Sequence, residues 1–326
     1  MADKAVDMVE QARQTQTADS RLEPGEIRLV APAKVNLFLG IGERRADGYH
    51  DATSIMHALM LHDVLRMKLA PAEGEGLSLE VACVAREGVD PLDVAPEDNI
   101  AARAVRLLAE LVGRRADEHM RIIIEKHIPA QAGLGGGSSD AAAALVGAAH
   151  LWGLDPDDAR IEEAARTLGA DVAFFLHGGC ACFTGVGDSF HHALAPMTRA
   201  VVLVKPEGGV STKDAYREFD EDPQPIGDAD WDAASSASAA GNVPLRNNLV
   251  RASERLLPAL ADVREWLEAR SGEVEGILMS GSGSATFAVC RDFQAACRVV
   301  AAARERGWWA RTTTFGPSRA AVVPAR

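Results

Sequence analysis

The 326-residue sequence lacks three features that would each place it in a different class of protein. No apolar run reaches the length that crosses a membrane, and the first residues are polar and acidic, unlike a secretory signal. None of the five cysteines forms a Cys-x-x-Cys pair, and scattered cysteines in odd number are typical of reduced thiols in a cytosolic protein. Positive charge is scarce, because 34 Lys and Arg stand against 47 Asp and Glu, a formal net charge of -13. We therefore expect a cytoplasmic protein with no membrane or nucleic-acid partner.

A glycine-rich segment is the most informative feature that the sequence does contain. From Ile128 to Asp140 the chain reads Ile-Pro-Ala-Gln-Ala-Gly-Leu-Gly-Gly-Gly-Ser-Ser-Asp, and an alanine-rich stretch then predicts a helix from Ser138 to Trp152. Glycines can fold tightly around an anion, and the helix N-terminus adds the positive end of its dipole. A flexible linker is the alternative, but the segment lies between a predicted strand, Met120–Lys126, and this helix. The pattern therefore favours a phosphate site for a nucleoside triphosphate.

This loop differs from both common nucleotide-binding patterns. A Walker A loop ends in Gly-Lys-Ser/Thr, whereas this one ends in Gly-Ser-Ser-Asp. A Rossmann fingerprint needs a second strand and an acidic residue about 20 residues further on. Here that region is a helix and a turn, Leu151–Pro156. The sequence thus argues against a Walker-type nucleotide switch.

The order of predicted elements indicates an α+β fold in two lobes. Consecutive strands dominate the first half, and strands alternate with helices in the second. We expect an extension over residues 1–24, a first lobe over 25–197 and a second over 198–326. The expected elements include strands at Ile27–Ala31 (ended by Pro32), Val35–Ile41, Thr53–Leu61, Asp63–Leu69, Leu77–Val81, Ala200–Lys205, Gly276–Met279, Thr286–Cys290 and a closing strand Ala310–Phe315, helices at Asn99–Leu111, Asp157–Leu168, Leu249–Ala269 and Phe293–Arg306, a turn at Asp47-Gly48 and a loop at Asp220–Gly241.

Three further segments carry candidate functional residues. Lys34 lies in the strand Ala-Pro-Ala-Lys-Val-Asn-Leu, where it is either a functional cation or an edge lysine whose head reaches solvent. Asp171, in Leu-Gly-Ala-Asp-Val at a predicted helix-to-strand junction, reads alone as a cap or turn residue, but beside Lys34 it becomes a candidate base. The segment Met279–Phe287, Met-Ser-Gly-Ser-Gly-Ser-Ala-Thr-Phe, is equally compatible with a tight hairpin and with a substrate contact.

Together with Arg-Ala-Asp-Gly-Tyr-His at Arg45–His50, these motifs resemble the GHMP kinase superfamily from about Gly25 to the end of the chain. The resemblance implies a two-lobed fold, with a first lobe like ribosomal protein S5 domain 2 and an α/β-sandwich second lobe. It implies ATP and Mg²⁺ as cofactors, with Asp171 as the base and Lys34 stabilising charge beside it. The implied ATP-binding residues are Asn99, Lys126, Pro129, Ala130, Gly133, Leu134, Gly135, Gly136, Gly137, Ser138, Ser139 and Asp140. The implied substrate-binding residues are Asn36, Tyr49, His50, Thr212, Tyr216, Gly281 and Ser282.

Within the superfamily, the motifs are most similar to the kinases that phosphorylate the 2-hydroxyl of a methylerythritol linked to cytidine diphosphate, in the methylerythritol phosphate route to isoprenoids. That resemblance implies that Tyr49 and Tyr216 stack on the cytosine and that His50 reads its hydrogen-bonding edge. These are the only two tyrosines in the chain, and the alternative for each is an ordinary surface tyrosine. The magnesium ligands are open, with Ser138, Ser139 and Asp140 as candidates.

The chain departs from the family pattern at three positions. Ala173 and Ser284 stand where the family commonly has proline, and Asn248 stands where it often has aspartate. None of these positions is Lys34 or Asp171, so the resemblance still implies a kinase. Two alternatives remain, namely a GHMP kinase for another alcohol and a catalytically inactive ligand sensor. Monomer and weak homodimer are both open as assembly states.

Overall fold

A computed structural model describes residues 22–46, 48–74, 76–86, 88–91, 94–95 and 97–324. The predicted extension lies outside the described residues up to position 21, as does Asp47 of the predicted turn. The described strands are β1 Glu26–Arg44, β2 His50–Pro71, β3 Leu77–Ala85, β4 Glu118–Lys126, β5 Cys180–Thr184, β6 Ser189–Leu194, β7 Ala200–Lys205, β8 Arg246–Asn247, β9 Val274–Met279, β10 Thr286–Cys290, β11 Trp309–Thr314 and β12 Ala321–Val323. The described helices are α1 Ile100–Leu111, α2 Gly136–Trp152, α3 Ala159–Leu168, α4 Ala170–His177, α5 Thr212–Glu221, α6 Asp228–Ser236, α7 Val250–Leu256, α8 Ala259–Glu268 and α9 Phe293–Glu305, with a 3-10 turn at Ala240–Asn242.

The first sheet is built on two long antiparallel strands, β1 and β2. Its order is β12-β1-β2-β4-β3, with β5 also on β2, β6 on β5 and a short parallel β8 on β1. The prediction that Pro32 ends a strand is wrong, because β1 continues through it. The register with β2 shifts between Pro32 and Lys34, and a proline is tolerated at such a bulge since its missing N–H interrupts no regular ladder. The two strands expected at Thr53–Leu61 and Asp63–Leu69 are likewise one strand, β2.

The first hydrophobic core lies between this sheet and the helices α1, α2, α3 and α4. Small side chains let α2 approach the sheet closely. A Cβ added to Gly147 would come within 2.4 Å of the Met67 sulfur, and Ala141 to Ala144 are fully buried. The packing of α2 fixes the position of its N-terminus, where the glycine-rich loop ends.

The second sheet, β11-β7-β10-β9, is antiparallel and packs one face against α8 and α9. Its strands β7 and β10 have the predicted bounds. The helix expected from Leu249 to Ala269 is in fact two helices, α7 and α8. The helical conformation is interrupted at Leu257, the residue before Pro258. The loop expected from Asp220 contains α6, whose Trp231 packs against Phe38 with ring centroids 5.4 Å apart.

The last described strand corrects another expectation. β11 does not close the fold, because β12 follows it and pairs antiparallel with β1, from Val323 opposite Arg28 to Ala321 opposite Val30. Sequence patterns did not indicate a strand of three residues whose partner is so distant in the chain. The first sheet therefore contains segments from both halves of the sequence.

Candidate active site

A cavity of about 830 Å³ opens where the two sheets meet the glycine-rich loop. It is lined by one face of β1, the loop before α2, the first turn of α4, the β5–β6 turn, the start of α5 and the turn between β9 and β10. Most of the predicted site residues lie along its wall: Lys34, Asn36, Asn99, Lys126, Pro129, Ala130, Gly133, Leu134, Gly135, Gly136, Gly137, Ser138, Asp140, Asp171, Thr212, Tyr216, Gly281 and Ser282. Three predicted residues, Tyr49, His50 and Ser139, are not part of this lining.

Left-handed glycines shape the loop. Gly133 and Gly135 both have φ of 71°, a conformation that other residues adopt only with strain. A Cβ on Gly133 would lie 1.9 Å from the carbonyl oxygen of Ser280, and a Cβ on Gly135 would lie 2.8 Å from the ring of Phe175. The loop can therefore take this path only with glycine at both positions.

The helix N-terminus at the end of the loop faces the cavity. α2 begins at Gly136, two residues before the predicted start, and its N-cap residue Gly135 has no side chain that could cap the first N–H groups. Uncapped N–H groups and the positive end of the helix dipole attract an anion. The geometry therefore fits the predicted phosphate site.

A buried polar network surrounds Lys34. Its ammonium lies 2.7 Å from Asn36 Oδ1, to which it donates, and 3.3 Å from Asp171 Oδ2. Asn36 in turn donates to Ser54 Oγ at 2.9 Å. Lys34 is only 3% exposed, whereas the Asp171 side chain is 36% exposed and can reach a ligand. Lys34 is therefore a buried lysine paired with Asp171 and not an edge lysine whose head reaches solvent.

Asp171 occupies a different local structure from the one predicted. It lies in the first turn of α4, so the junction before it joins two helices, α3 and α4, rather than a helix and a strand. The apolar run after it remains helical as far as His177. A carboxylate in the first turn of a helix interacts favourably with the helix dipole, and this turn lies at the cavity wall.

The free edge of β1 is where the two halves of the site meet. Between its pairings with β12 and β8, the strand donates backbone hydrogen bonds to two loops. The N–H of Lys34 donates to the carbonyl of Leu134 at 3.0 Å, and the N–H of Asn36 donates to Ser280 Oγ at 3.3 Å. Ser280 Oγ also donates to the carbonyl of Gly133 at 2.8 Å. One serine hydroxyl therefore ties the glycine loop to the strand that carries Lys34.

Asparagines on the β8 connection fix the second glycine turn and the strand beside it. Asn247 donates to the carbonyls of Met279 and Gly281, at 2.9 and 2.7 Å. Asn248 accepts from the N–H of Ile41 and donates to its carbonyl, both at 2.9 Å. An amide can do both, which gives a physical reason for asparagine at position 248. The turn itself joins antiparallel β9 and β10, so the hairpin is confirmed, and it also lines the cavity, where a substrate contact stays a prediction.

Lys126 is held between two buried carboxylates. Its ammonium contacts Asp63 Oδ2 and, at 2.5 Å, Asp140 Oδ2. Asp63 Oδ1 also accepts from the backbone N–H groups of His127 and Ile128, where the glycine-rich segment begins. Burial opposes the charge of Lys126, but the two carboxylates outweigh it and raise the pKa of the ammonium. Sequence reasoning missed Asp63, although a lone acid between two apolar strand segments was a signal for it.

Oxygen atoms near this lysine fit a magnesium ion. Asp140 Oδ1 and Ser139 Oγ are buried without a hydrogen-bond partner among the described residues, and Ser138 lines the cavity next to them. Carboxylate and hydroxyl oxygens are the ligands that Mg²⁺ prefers. Burial raises the pKa of Asp140, an effect that a bound cation would oppose. The donor set is therefore compatible with the expected ion.

The residues expected to bind a cytosine are only partly together. The ring centroids of His50 and Tyr216 are 5.5 Å apart, and His50 Nε2 lies 2.7 Å from Asp220 Oδ1. Burial, with the negative charge of Asp171, raises the pKa of Tyr216 to about 12. Tyr49 is 65% exposed and lies outside the lining. The structure therefore brings His50 and Tyr216 together but leaves Tyr49 at the surface.

Asn99 and Thr212 have defined local partners. Asn99 caps α1 by accepting from the N–H of Ala101, and its amide nitrogen is 3.4 Å from Cys83 Sγ. The hydroxyls of Thr212 and Ser282 lie 3.1 Å apart across the cavity wall, joining the start of α5 to the second glycine turn.

Across the described residues, no helix combines the length and apolar character that crossing a membrane requires.

Comparison with known proteins identifies related chains. Two family models match, the GHMP kinases N terminal domain over residues 99–179 and the GHMP kinases C terminal domain over residues 231–307. The 4-diphosphocytidyl-2-C-methyl-D-erythritol kinase of Desulfitobacterium hafniense is 39% identical over 287 residues, which are 87% of this chain and 93% of the relative. The enzyme of the same description from Mycolicibacterium gilvum is 38% identical over 301 residues, 87% of this chain and 88% of the relative.

Solved structures share the fold. A crystal structure of 4-(cytidine 5'-diphospho)-2C-methyl-D-erythritol kinase is 36% identical, with a TM-score of 0.71 over 89% of this chain and 100% of that chain. Homoserine kinase from Cytophaga hutchinsonii is 19% identical, with a TM-score of 0.67 over 94% and 99% of the two chains, a likeness of fold alone. The expected two-lobed fold is confirmed.

Proposed function

The chain belongs to the GHMP kinase family, and on that premise we propose that it transfers the γ-phosphoryl group of ATP to the 2-hydroxyl of 4-diphosphocytidyl-2-C-methyl-D-erythritol, giving the 2-phosphate and ADP. The observation that carries the reaction type is the pair of Lys34 and Asp171 on the wall of a cavity that also receives the N-terminus of α2. The substrate rests on relatives of that name, 38–39% identical over 87% of the chain. The reaction would supply the methylerythritol phosphate route.

Phosphoryl transfer requires positioning and charge stabilisation more than reactive groups. In this proposal the loop from Gly133 to Ser139 and the start of α2 hold the triphosphate. Asp171 accepts a hydrogen bond from the substrate hydroxyl and orients it, and it takes the proton as the new bond forms. Lys34, fixed by Asn36, offsets the charge that develops on the transferring group.

The oxygen atoms beside the glycine-rich loop are the proposed magnesium ligands. Ser138, Ser139 and Asp140 would hold the ion, which neutralises phosphate charge when bound. Lys126, 2.5 Å from Asp140, keeps that carboxylate in place. We also propose a cytoplasmic location, which the five free cysteines support, since disulfides are rare in reducing compartments.

An ADP-release assay tests the reaction and the base together. Purified protein is given Mg-ATP and 4-diphosphocytidyl-2-C-methyl-D-erythritol, beside Asp171→Ala and Asp171→Asn variants. We expect wild-type turnover and a loss of at least roughly 100-fold in both variants, the low end for removing a general base. An exposed acid on the same lobe, in the variant Asp157→Asn, serves as the matched control and should keep full activity. Wild-type ATP binding without ADP release would contradict the substrate, and homoserine and mevalonate would be tried next.

Substitution of Tyr216 tests the choice of substrate separately. Tyr216 lies near His50 on the cavity side, so a stacked cytosine would contact its ring. Base–aromatic stacking contributes about 1–3 kcal/mol, so Tyr216→Ala should lower kcat/KM for the cytidyl substrate by roughly 5- to 150-fold, while Tyr216→Phe retains it. Cytidine nucleotides should compete with the substrate and plain polyols should not. Equal competition by polyols would favour a kinase for another alcohol.

A further inference from the structure

A cluster of metal-ligating side chains lies on the β5–β6 hairpin, apart from the cavity lining. Cys182 on β5 and His191 and His192 on β6 place one ligand atom each within 4.8 Å of one another. The two histidine Nδ1 atoms are 2.6 Å apart. Cys182 is buried, His192 is half-buried and His191 is exposed, so solvent reaches one side of the cluster. None of the three serves the proposed kinase reaction.

A β-bulge explains how consecutive histidines come together. Successive residues of a regular strand face opposite sides of a sheet. Here Cys182 pairs with His192, but the next pair along β5 is Phe183 with Phe190, so His191 is the extra residue without a partner. A bulge re-aims the side chain of the extra residue. The irregular register thus gathers both imidazoles beside the thiol of Cys182.

The hydrogen bonds of His192 leave one nitrogen suited to a metal. Its Nε2 lies 3.0 Å from the carbonyl oxygen of Ala237, which can only accept, so Nε2 carries the hydrogen. In the neutral ring Nδ1 then holds the lone pair, and it points at His191. A ligating histidine that donates its other N–H to a backbone carbonyl is the usual arrangement around protein-bound metals.

We propose that Cys182, His191 and His192 bind one Zn²⁺ ion. Thiolate and imidazole are the ligands zinc prefers, and three protein ligands with one open position for water complete a tetrahedron. Tetrahedral bonds of about 2.0–2.3 Å place ligand atoms roughly 3.4–3.6 Å apart, so the two imidazoles separate by about 0.8 Å on binding. The ion replaces the proton between the rings, which moves to Nε2 of the exposed His191. The Cys182 thiol releases its proton to solvent as the Zn–S bond forms.

The site would connect the hairpin to the second half of the chain. The β5–β6 turn contributes Val186 and Gly187 to the cavity wall, while Ala237 follows α6 directly. A metal held by both strands, with its histidine fixed by the Ala237 carbonyl, would hold the hairpin against that connection. We expect zinc to raise the Tm of the protein, because it binds the folded state, where the three ligands lie together, more tightly than the unfolded chain.

Zinc retention tests the proposal on untagged full-length protein. The protein is incubated with ZnCl₂ in excess Mg²⁺, which occupies oxygen sites, and is then dialysed against a competing chelator before metal analysis. We expect one Zn²⁺ per chain, with affinity at least 10-fold lower in His191→Gln, His192→Gln and Cys182→Ser. The exposed residues in Cys297→Ser and His150→Gln provide matched controls that should bind zinc like the wild type.

Two measurements keep the test decisive. His191 is exposed, so His191→Gln should fold normally even if the buried Cys182→Ser does not. Substitution by Co²⁺ should give a thiolate charge-transfer band that is present in Cys297→Ser. Wild-type protein that retains no zinc, or zinc retention that is equal in wild type and His191→Gln, would overturn the proposal. Loss of zinc in His191→Gln with retention in both controls would support it.

Discussion

The two carboxylates that contact Lys126 should differ greatly in their contribution to stability. Asp63 is fully buried and accepts from Lys126 and from two backbone N–H groups. Asp140 contacts Lys126 through one oxygen, while its other oxygen has no partner among the described residues. The variants Asp63→Asn and Asp140→Asn make the same chemical change on two sides of one lysine. Each variant is therefore the control for the other.

The expected magnitudes follow from what each substitution leaves unpaired. Asp63→Asn removes the negative charge that balances buried Lys126, and it places an amide N–H₂ group, itself a donor, among the donors that Asp63 accepts from. Breaking a buried ion pair costs about 3–5 kcal/mol. Because domains are stable by only about 5–15 kcal/mol, this is a large fraction of the total. Asp140→Asn leaves the Lys126–Asp63 pair intact. It should cost only about 1 kcal/mol, the value of one hydrogen bond.

The pH dependence of Asp140→Asn gives a second signature. Burial, reinforced by the negative charge of Asp63, raises the pKa of Asp140 despite Lys126. A carboxyl whose pKa is raised on folding stabilises the protein below its unfolded pKa of about 3.9, and that stability is lost as pH rises toward the folded pKa. The asparagine variant cannot titrate. Its deficit relative to wild type should therefore shrink between pH 5 and pH 8.

Urea unfolding at pH 5, 7 and 8 measures both effects, provided that the m-value is unchanged. Equal destabilisation by Asp63→Asn and Asp140→Asn would refute the asymmetry. A deficit of Asp140→Asn that grows with pH would refute the direction given for its pKa.

Two further variants test other parts of the structure. Gly133→Ala places a Cβ 1.9 Å from the Ser280 oxygen and should weaken ATP binding at least roughly 10-fold. The control Gly153→Ala has a similar φ and nothing within 4 Å of the added Cβ. It should cost only about 1–2 kcal/mol of stability through backbone strain. Calorimetric titration with ATP separates these, and equal affinities would contradict the loop geometry. Burial lowers the pKa of His57 to about 4, so stability present above pH 6.5 should be lost by up to about 3 kcal/mol as pH falls to 4. His57→Gln should flatten this dependence in urea unfolding, and parallel curves would count against it.

Local signals in the sequence predicted several elements well. Apolar residues at helical spacing predicted a helix from Asn99 to Leu111, and in the structure α1 begins one residue later, with Asn99 as its cap. The strands β7 and β10 were bounded correctly because their apolar runs end at polar or turn residues. The glycine-rich loop was predictable because its backbone conformation requires glycine. In each case the determining interaction lies within a few residues.

Elements set by distant partners were not predictable from local pattern. β1 passes through Pro32 because β2 supplies a ladder with a bulge at that point. β12 exists only as a partner of β1. Asp171 lies on a helix because the apolar run after it packs in the first core as α4. The ion pair of Lys126 with Asp63 joins residues far apart in sequence, and no spacing rule links them.

The family resemblance predicted more of the site than the local sequence patterns did. It brought Lys34 and Asp171 together, and they lie 3.3 Å apart. It did not indicate the hydroxyl of Ser280, which joins two loops to β1. The stacking role of Tyr49 stays a prediction, since its side chain lies at the surface.

The pairing of β1 has a consequence for the order in which the protein can be made. β1 is synthesised well before β8, the Ser280 turn and β12, which complete its edge. Until those segments are made, this strand presents unpaired backbone groups, the kind of edge that recruits other chains. A nascent chain released near Met197 would carry Lys34 and the glycine loop but lack the segments that hold them together. Catalytic competence would then arise only once these later segments have been made and have paired with β1.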